Sequence, residues 1–271
     1  MNRQLKWFEL WVSEGYSVRQ ISGISHYSRK TIKGIIGYWL LKIPSLKNKH
    51  IKIKYLLFDG TYFRHENCLM LVMNNGNNRI VTSKYLKREN YFAACQLFKE
   101  LSAKGIKPTA ITIDGNTSVT RALREVWPNI IIQRCIVHIQ RQGLSWLRMH
   151  PKLKPSIHLR KILLTVTSIS NYQEKQKFIL DFKNWENRFG KMVSRLDSKH
   201  KIFSDLQRTR SLVIHALPDM FHYLDDPNIA KSTNKLEGYF SRLKQLYRLH
   251  SGLSKEKRNN YFSWYIYFKN H

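Results

Sequence analysis

Leu56-Leu57-Phe58-Asp59-Gly60-Thr61 and Ile111-Thr112-Ile113-Asp114-Gly115-Asn116 follow one pattern, an apolar run closed by Asp-Gly. Each run reads as a strand with an aspartate at its C-terminal end, because β-branched and large apolar residues stop there at a turn dipeptide. A lone Asp-Gly after a strand is commonly a simple turn. The matched pair carries more weight. In open α/β sheets ligands bind at the carboxyl ends of the strands, so if the two strands are neighbours the two carboxylates lie side by side.

The runs on either side of this pair set the element order. Ile51 to Phe58 is the first strand, Cys68 to Met73 the second and Arg79 to Leu86 the third. The Asn74-Asn75-Gly76-Asn77-Asn78 cluster between the last two signals a hairpin. Glu89 to Lys104 has helical spacing, with Phe92, Leu97, Phe98 and Leu101 on one side and Gly105 as the stop. Ala110 to Ile113 is the fourth strand, Val119 to Val126 a helix, Asn129 to Ile132 a fifth, buried strand, and His138 to Leu147 a further helix. The order β-β-β-α-β-α-β-α predicts an α/β protein with a mixed sheet of the ribonuclease H-like kind. The elements come from the pattern, the strand arrangement from analogy. From Pro151 to Ile229 the pattern is helical and basic, which predicts an all-helical insertion. A last helix spans Ser232 to Tyr247, and a Tyr-rich tail closes the chain.

The N-terminal forty residues read as three helices. Leu5, Phe8, Trp11 and Val12 mark the first, Ser17 starts the second, Gly23-Ile24-Ser25 is a turn, and Ser28 caps a third with Ile32, Ile35 and Ile36 on its apolar face. A short helix, a turn and a capped helix opening on basic residues is a helix-turn-helix pattern, with Arg29, Lys30 and Lys33 as DNA contacts; the bland alternative is a helical hairpin with a solvated basic face. The expected organisation is residues 1–45 as the DNA-binding region, 50–150 as the first part of the catalytic core, 151–230 as the insertion and 231–271 as the completion of the core, with 41–50 as a basic linker.

Charge points to the partner. The 47 Lys and Arg against 18 Asp and Glu give a formal net charge of +29 over 271 residues. That self-repulsion makes sense when a polyanion cancels it, and nucleic acid is the leading candidate. Apolar content of 42% supports a packed core. No apolar run approaches the roughly 20 residues that span a bilayer, and no signal-peptide core is seen. Cys68, Cys95 and Cys135 are odd in number and lack Cys-x-x-Cys spacing. They form neither a disulfide framework nor a zinc ribbon and suit a reducing cytoplasm.

Acidic residues are scarce, so their placement is informative. Two adjacent carboxylates repel unless a cation sits between them, and Mg²⁺ or Mn²⁺ takes oxygen ligands and accepts phosphate oxygens for the rest. A third carboxylate allows two ions to be held, one activating water or a 3′-hydroxyl and the other stabilising the leaving oxygen. Glu237, in Ser232-Thr233-Asn234-Lys235-Leu236-Glu237-Gly238, is the candidate: Ser232 suits an N-cap, which puts Glu237 early in a helix. Arg242 and Lys244 follow as phosphate contacts. Glu125, Asp181, Glu186, Asp225 and Asp226 compete for the role.

Together and in order, Phe58-Asp59-Gly60-Thr61-Tyr62, Ile113-Asp114-Gly115, Arg134-Cys135-Ile136-Val137-His138, Thr233-Asn234-Lys235-Leu236-Glu237-Gly238 and Arg248-Leu249-His250-Ser251-Gly252-Leu253-Ser254 resemble the signatures of bacterial insertion-sequence transposases of the Mutator-like DDE class. The resemblance covers residues 50 to 258. It implies a ribonuclease H-like core interrupted by a helical insertion, and metal-dependent cleavage and strand transfer at element ends, with Asp59, Asp114 and Glu237 as the metal-binding triad. It also implies double-stranded DNA, as transposon ends and target, for a partner, a homodimer or higher synaptic oligomer, and a cytoplasmic, nucleoid-associated protein. Related chains often have a longer N-terminal region, sometimes with paired zinc cysteines, than the one seen here.

Cys135-x-x-His138 belongs to that signature, so the resemblance makes His138 an active-site neighbour contacting DNA or a triad carboxylate. The alternative is a buried Cys and a helix-capping His. Zinc is not expected, because Cys68, Cys95, His65 and His158 lie in no supporting spacing. Two rival functions use the same features: a decayed DNA-binding regulator without chemistry, and a ribonuclease H-like nuclease or resolvase that hydrolyses without joining.

Overall fold

The computed structural model describes residues 3–44, 53–63, 67–250 and 252–270. Most of the basic linker, Ile51, His65 and Ser251 fall outside these. Three helices come first, α1 (Arg3–Ser13), α2 (Val18–Ser25) and α3 (Arg29–Leu40). Ser17 and Gln20 form a reciprocal capping box on α2, and Ser28 accepts from the Thr31 N–H to cap α3. The chain reverses at His26, in the left-handed region at φ 61°, so Gly23-Ile24-Ser25 is the last turn of α2 and not the expected turn.

The sheet and its helices follow as β1 (Tyr55–Phe63), β2 (Asn67–Asn74), β3 (Ile80–Leu86), α4 (Tyr91–Ala103), β4 (Ala110–Ile113), α5 (Thr117–Val126), β5 (Ile131–Arg134) and α6 (Ile136–Leu147). The spatial order is β3-β2-β1-β4-β5, with β1, β2 and β3 antiparallel and β4 and β5 parallel to β1. The two Asp-Gly strands are therefore neighbours. At the β2–β3 hairpin the left-handed position falls on Asn78, at φ 58°, rather than on Gly76.

Three expectations within this region need correction. Strand β1 does not end at Asp59-Gly60. It pairs with β2 as far as Phe63 opposite Asn67, but with β4 only from Tyr55 to Leu57. Asp59 thus sits just where β1 parts from β4, held straight by its other neighbour. Strand β5 starts at Ile131, which is 37% exposed, so the strand lies two residues later than its apolar run suggests. Phe92 is 78% exposed, because Asn90 caps α4 and the buried face is Ala93, Ala94, Leu97, Phe98 and Leu101.

Among the described residues from 151 to 229 no strand occurs. The segment holds α7 (Lys154–Leu164), α8 (Tyr172–Trp185), a π-helical turn (Glu186–Gly190), α9 (Lys191–Ser194), α10 (Lys201–Ala216) and α11 (His222–Asp225). Its apolar cluster, including Leu159, Phe178, Trp185 and Val213, is shared with Ile136, Ile139 and Leu147 of α6. Two helices close the chain, α12 (Asn234–Arg248) and α13 (Lys255–Asn270). The Tyr-rich tail is therefore a helix, and Tyr261, Phe262, Trp264, Tyr265, Ile266 and Phe268 are buried along it.

Alternation along the strands sorts the two faces of the sheet. Leu56, Phe58, Met70 and Val72 pack with α4 and α5. Leu57, Phe63, Leu69 and Leu71 pack with α12, α13 and the N-terminal helices in one continuous cluster. Helix ends leave carbonyls without intrahelical partners, and buried side chains supply them here. His250 Nε2 lies 2.8 Å from the Trp11 carbonyl and Tyr261 donates to the Val12 carbonyl, both at the end of α1. Asn260 donates to the Leu40 carbonyl and Trp264 to the Trp39 carbonyl at the end of α3. Arg29, Lys30 and Lys33 remain exposed on the outer side of α3.

Candidate active site

Asp59 has the parity of Leu57 and Phe63, so it faces α12. It is 9% exposed and accepts the Gly60 N–H at 2.8 Å. Asp114 follows the last residue of β4 and accepts the Asn116 N–H at 2.9 Å in a tight turn, while Asn116 caps α5. Glu237 lies in the first turn of α12. Ser232 does not cap that helix: the cap position is Thr233, whose hydroxyl lies 3.6 Å from Cys135 Sγ and 3.4 Å from His138 Nδ1.

The segment that delivers Glu237 is pinned to the sheet after the whole helical insertion. Thr112 of β4 donates to the Ala230 carbonyl at 2.6 Å, and the Ile136 N–H donates to the Lys231 carbonyl at 3.1 Å. The Thr233 N–H donates to Cys135 Sγ at 3.4 Å. Cys135 thus acts as an acceptor under the start of α12. Glu237 Oε1 lies 3.5 Å from His138 Nε2, and both carboxylate oxygens receive Arg141, at 3.2 and 3.1 Å.

The electrostatics join these groups. The Asp59 carboxyl is pushed up to about 7, by burial first, with His138 opposing and Asp114 and Glu237 adding to the rise. The His138 imidazole is pushed up to about 9, mainly by its hydrogen bond with Cys135, against burial, and with support from Asp59 and Glu237. Burial works against the Cys135 thiolate, but the bonds from His138 and from the Thr233 N–H prevail and hold its pKa below the usual thiol value. Asp59, Asp114, Glu237 and His138 therefore share one field. The competing acids do not act on Asp59: Glu125 is tied to Tyr91 and Lys99, Glu186 to Arg210, Asp225 to Tyr172 and Asp226 to Tyr55, and Asp181 is exposed in α8.

Two further polar groups adjoin the site that the sequence pattern does not single out. Glu89, just before the Asn90 cap, accepts from Asn116 Nδ2 at 2.8 Å, and its Oε2 occupies the space beside Gly60, where a Cβ would lie 2.1 Å away. Burial, then Asp114 and Asp59, push this carboxyl up to about 7. Arg134 lies likewise against Gly115, whose added Cβ would fall 1.9 Å from the guanidinium carbon. Both Asp-Gly glycines thus make room for a long polar side chain, and Gly115 also takes φ 97°. The signal available in the sequence is Glu89 itself, an acid preceding a capping Asn in a chain short of acids.

Arg242 is exposed on α12 and Lys244 is half-buried, with its ammonium 5.6 Å from the Phe63 ring centre. All three cysteines are free and buried. Among the described residues no three His, Cys, Asp or Glu side chains stand close enough to close around a metal ion, and both Glu237 oxygens are turned to Arg141. The donor set of Asp59, Asp114 and Glu237 is nevertheless all oxygen, which suits Mg²⁺ or Mn²⁺. The rise at Asp59 comes first from burial, with Asp114 and Glu237 adding to it, and a cation held there would favour the ionised form.

The family model described as Transposase, Mutator family, matches residues 17–248. The chain belongs to that family. It is similar, at 19% identity over 259 residues, to the transposase for insertion sequence element IS1201 of Lactobacillus helveticus, covering 86% of this chain and 64% of the relative. It is similar, at 20% identity over 240 residues, to the transposase for insertion sequence element IS905 of Lactococcus lactis subsp. lactis (strain IL1403), covering 82% of this chain and 58% of the relative. The chain thus spans about three-fifths of the length of these curated relatives. No helix among the described residues is long and apolar enough to cross a membrane.

Proposed function

We propose that this chain is an insertion-sequence transposase of the DDE type, which cleaves element ends and joins them to target DNA in a divalent-metal-dependent reaction. The observation that carries the reading is the shared field of Asp59 in β1, Asp114 just after β4 and Glu237 in the first turn of α12, gathered across the helical insertion. The strand order, with a parallel β1–β4 pair at its centre, supports a ribonuclease H-like core.

Asp59, Asp114 and Glu237 would hold one or two Mg²⁺ or Mn²⁺ ions, which lower the pKa of a bound nucleophile and stabilise charge on phosphorus oxygens. His138 and Arg141 orient Glu237, and the exposed Arg141 guanidinium suits a bidentate phosphate contact. Arg242 and Lys244 extend the basic surface along α12. Two ends must meet for joining, so a homodimer or higher synaptic oligomer is part of the proposal, as is a cytoplasmic, nucleoid-associated location. The test is incubation with a duplex carrying the inverted repeat that flanks the gene. Nicking and joining are expected with Mg²⁺ and absent with a chelator, and metal-independent activity would refute the reading.

The helix-turn-helix reading assigns Arg29, Lys30 and Lys33 of α3 to DNA phosphates or base edges. Replacing all three with Ala is expected to lower the magnitude of the slope of log K against log salt by about 2–3, roughly one for each phosphate that is no longer neutralised. Fluorescence anisotropy over a salt series measures this, and an unchanged slope would assign α3 to a solvated face.

A further inference from the structure

Arg134 ends β5 with the parity of Ile132, which packs with α4 and α5, and its guanidinium lies over the Asp114-Gly115 turn. A Cβ on Gly115 would fall 1.9 Å from both its Cζ and its Nε, so the glycine leaves the space that the guanidinium fills. Among the described residues its Nε, shielded from water, has no hydrogen-bond partner. The acids whose charge reaches it are Asp114 and Asp219, and both are engaged elsewhere. Asp114 accepts the Asn116 N–H at 2.9 Å, and Asp219 stands 3.5 Å from His222. Other guanidinium groups of the fold are met: Arg210 by Glu186, Arg124 by the Ile130 carbonyl and Arg141 by Glu237.

A half-buried guanidinium with a shielded, unpaired donor is costly as a structural group. Burial holds its pKa below the ordinary arginine value, with Asp114, Asp219 and Cys135 opposing, so the fold on its own disfavours the charge. The adjoining backbone does not answer it either. Helix α5 begins beside it, with Asn116 accepting the Ser118 N–H, and the first turn of a helix carries partial positive charge. A guanidinium set next to a helix start suits an anion with several oxygens, and its parallel N–H donors match phosphate. Asp114 separates this place from Asp59, which faces α12. A strand whose scissile phosphate lies between the two aspartates therefore brings an adjoining phosphate to the α5 side.

We infer that Arg134 is a DNA contact of the reaction centre: its guanidinium donates to the non-bridging oxygens of a phosphate adjoining the scissile one, on the α5 side of Asp114, and Gly115 is glycine to let it reach there. This rests on the proposed transposase reading. The DNA supplies the acceptor that the fold lacks.

The test is single-turnover cleavage, by the full chain with Mg²⁺, of end-bearing duplexes in which one phosphate at a time beside the scissile one is a neutral methylphosphonate. At the contacted position this change is expected to slow wild type about 10- to 100-fold, the scale of losing a hydrogen bond between charged groups. It is expected to slow Arg134→Gln hardly further, because that variant has already lost the contact. On unmodified DNA Arg134→Gln is expected to be slower by about the same factor. Arg134→Lys, a point charge without the fork, is expected to fall between, and serves if the amide variant folds poorly. Arg134→Gln is also expected to melt no lower than wild type, since the shielded Nε has no protein partner to lose. Methylphosphonate losses that multiply with those of both Arg134 variants at every position would overturn the contact and leave the transposase reading standing. So would a fall in melting temperature that accounts for their slower cleavage. An absence of Mg²⁺-dependent cleavage in wild type would overturn both.

Discussion

Asp59→Asn is expected to remove DNA cleavage and joining while leaving a folded and, at pH 8, a more stable chain. Asn is nearly isosteric, and its amide oxygen can still accept the Gly60 N–H that Asp59 accepts at 2.8 Å. It loses the negative charge that would hold a cation. Metal-held nucleophiles and leaving oxygens contribute several kcal/mol to such reactions, so the loss is on the order of 1,000-fold or more in rate. Stability should move the other way, because ionised Asp59 is buried beside Asp114 and Glu237. A residue with only a structural role would show the reverse pattern, destabilisation with activity falling in proportion to the folded fraction. Single-turnover cleavage with thermal melts of the same samples separates the two.

The second large effect is on stability against pH in the absence of divalent ions. Asp59 has a carboxyl pushed up from 3.8 to about 7, and Glu89 one pushed up from 4.5 to about 7. A carboxyl with a raised folded pKa binds its proton more tightly in the folded state. Its contribution is complete below the unfolded value and is lost as pH rises through the folded one. His138, raised from 6.5 to about 9 chiefly by its bond with Cys135, acts in the same direction over a higher range. Stability is therefore expected to decline from about pH 5 to pH 9, by a few kcal/mol in sum given the coupling of the groups. Added Mg²⁺ should offset much of the decline at pH 8, since a ligand that binds only the folded state stabilises it. Asp59→Asn should flatten the profile and remove the Mg²⁺ effect. A flat wild-type profile would show that these groups titrate normally and that the centre is open to water.

The parts of the fold written in local pattern are legible from the sequence. Alternation and turn residues mark the strands, and Ser17 and Ser28 mark helix starts that the structure caps by those hydroxyls. The nearness of Asp59 and Asp114 follows once the two Asp-Gly strands prove to be neighbours. What is not legible depends on long-range pairing. Strand β1 runs past Asp59 because β2 continues to pair with it, and nothing in Asp59-Gly60 reports on β2. Thr233 rather than Ser232 starts α12 because Cys135, nearly a hundred residues earlier, and Lys231 fix the approach.

The C-terminal helix shows the same limit. Tyr261, Trp264 and Tyr265 read as an aromatic tail, and only the carbonyl ends of α1 and α3 reveal why those rings are buried. Glu89 is hidden in the sequence because it scans as the first residue of an amphipathic helix. The structure places it outside the Asn90 cap, free to turn toward Gly60 and Asn116.

Asp59, Asp114 and Glu237 are proposed to serve one reaction as metal ligands. Replacing each in turn with Cys and comparing Mg²⁺ with Mn²⁺ in cleavage of an end-bearing duplex tests it most directly, because a thiolate is a poor ligand for Mg²⁺ and a better one for the softer Mn²⁺. Each variant is predicted to be inactive in Mg²⁺ and to recover measurable cleavage in Mn²⁺. Substantial Mg²⁺ activity in any of the three, or the same residual rate in both metals and in chelator, would show that the three do not serve as metal ligands.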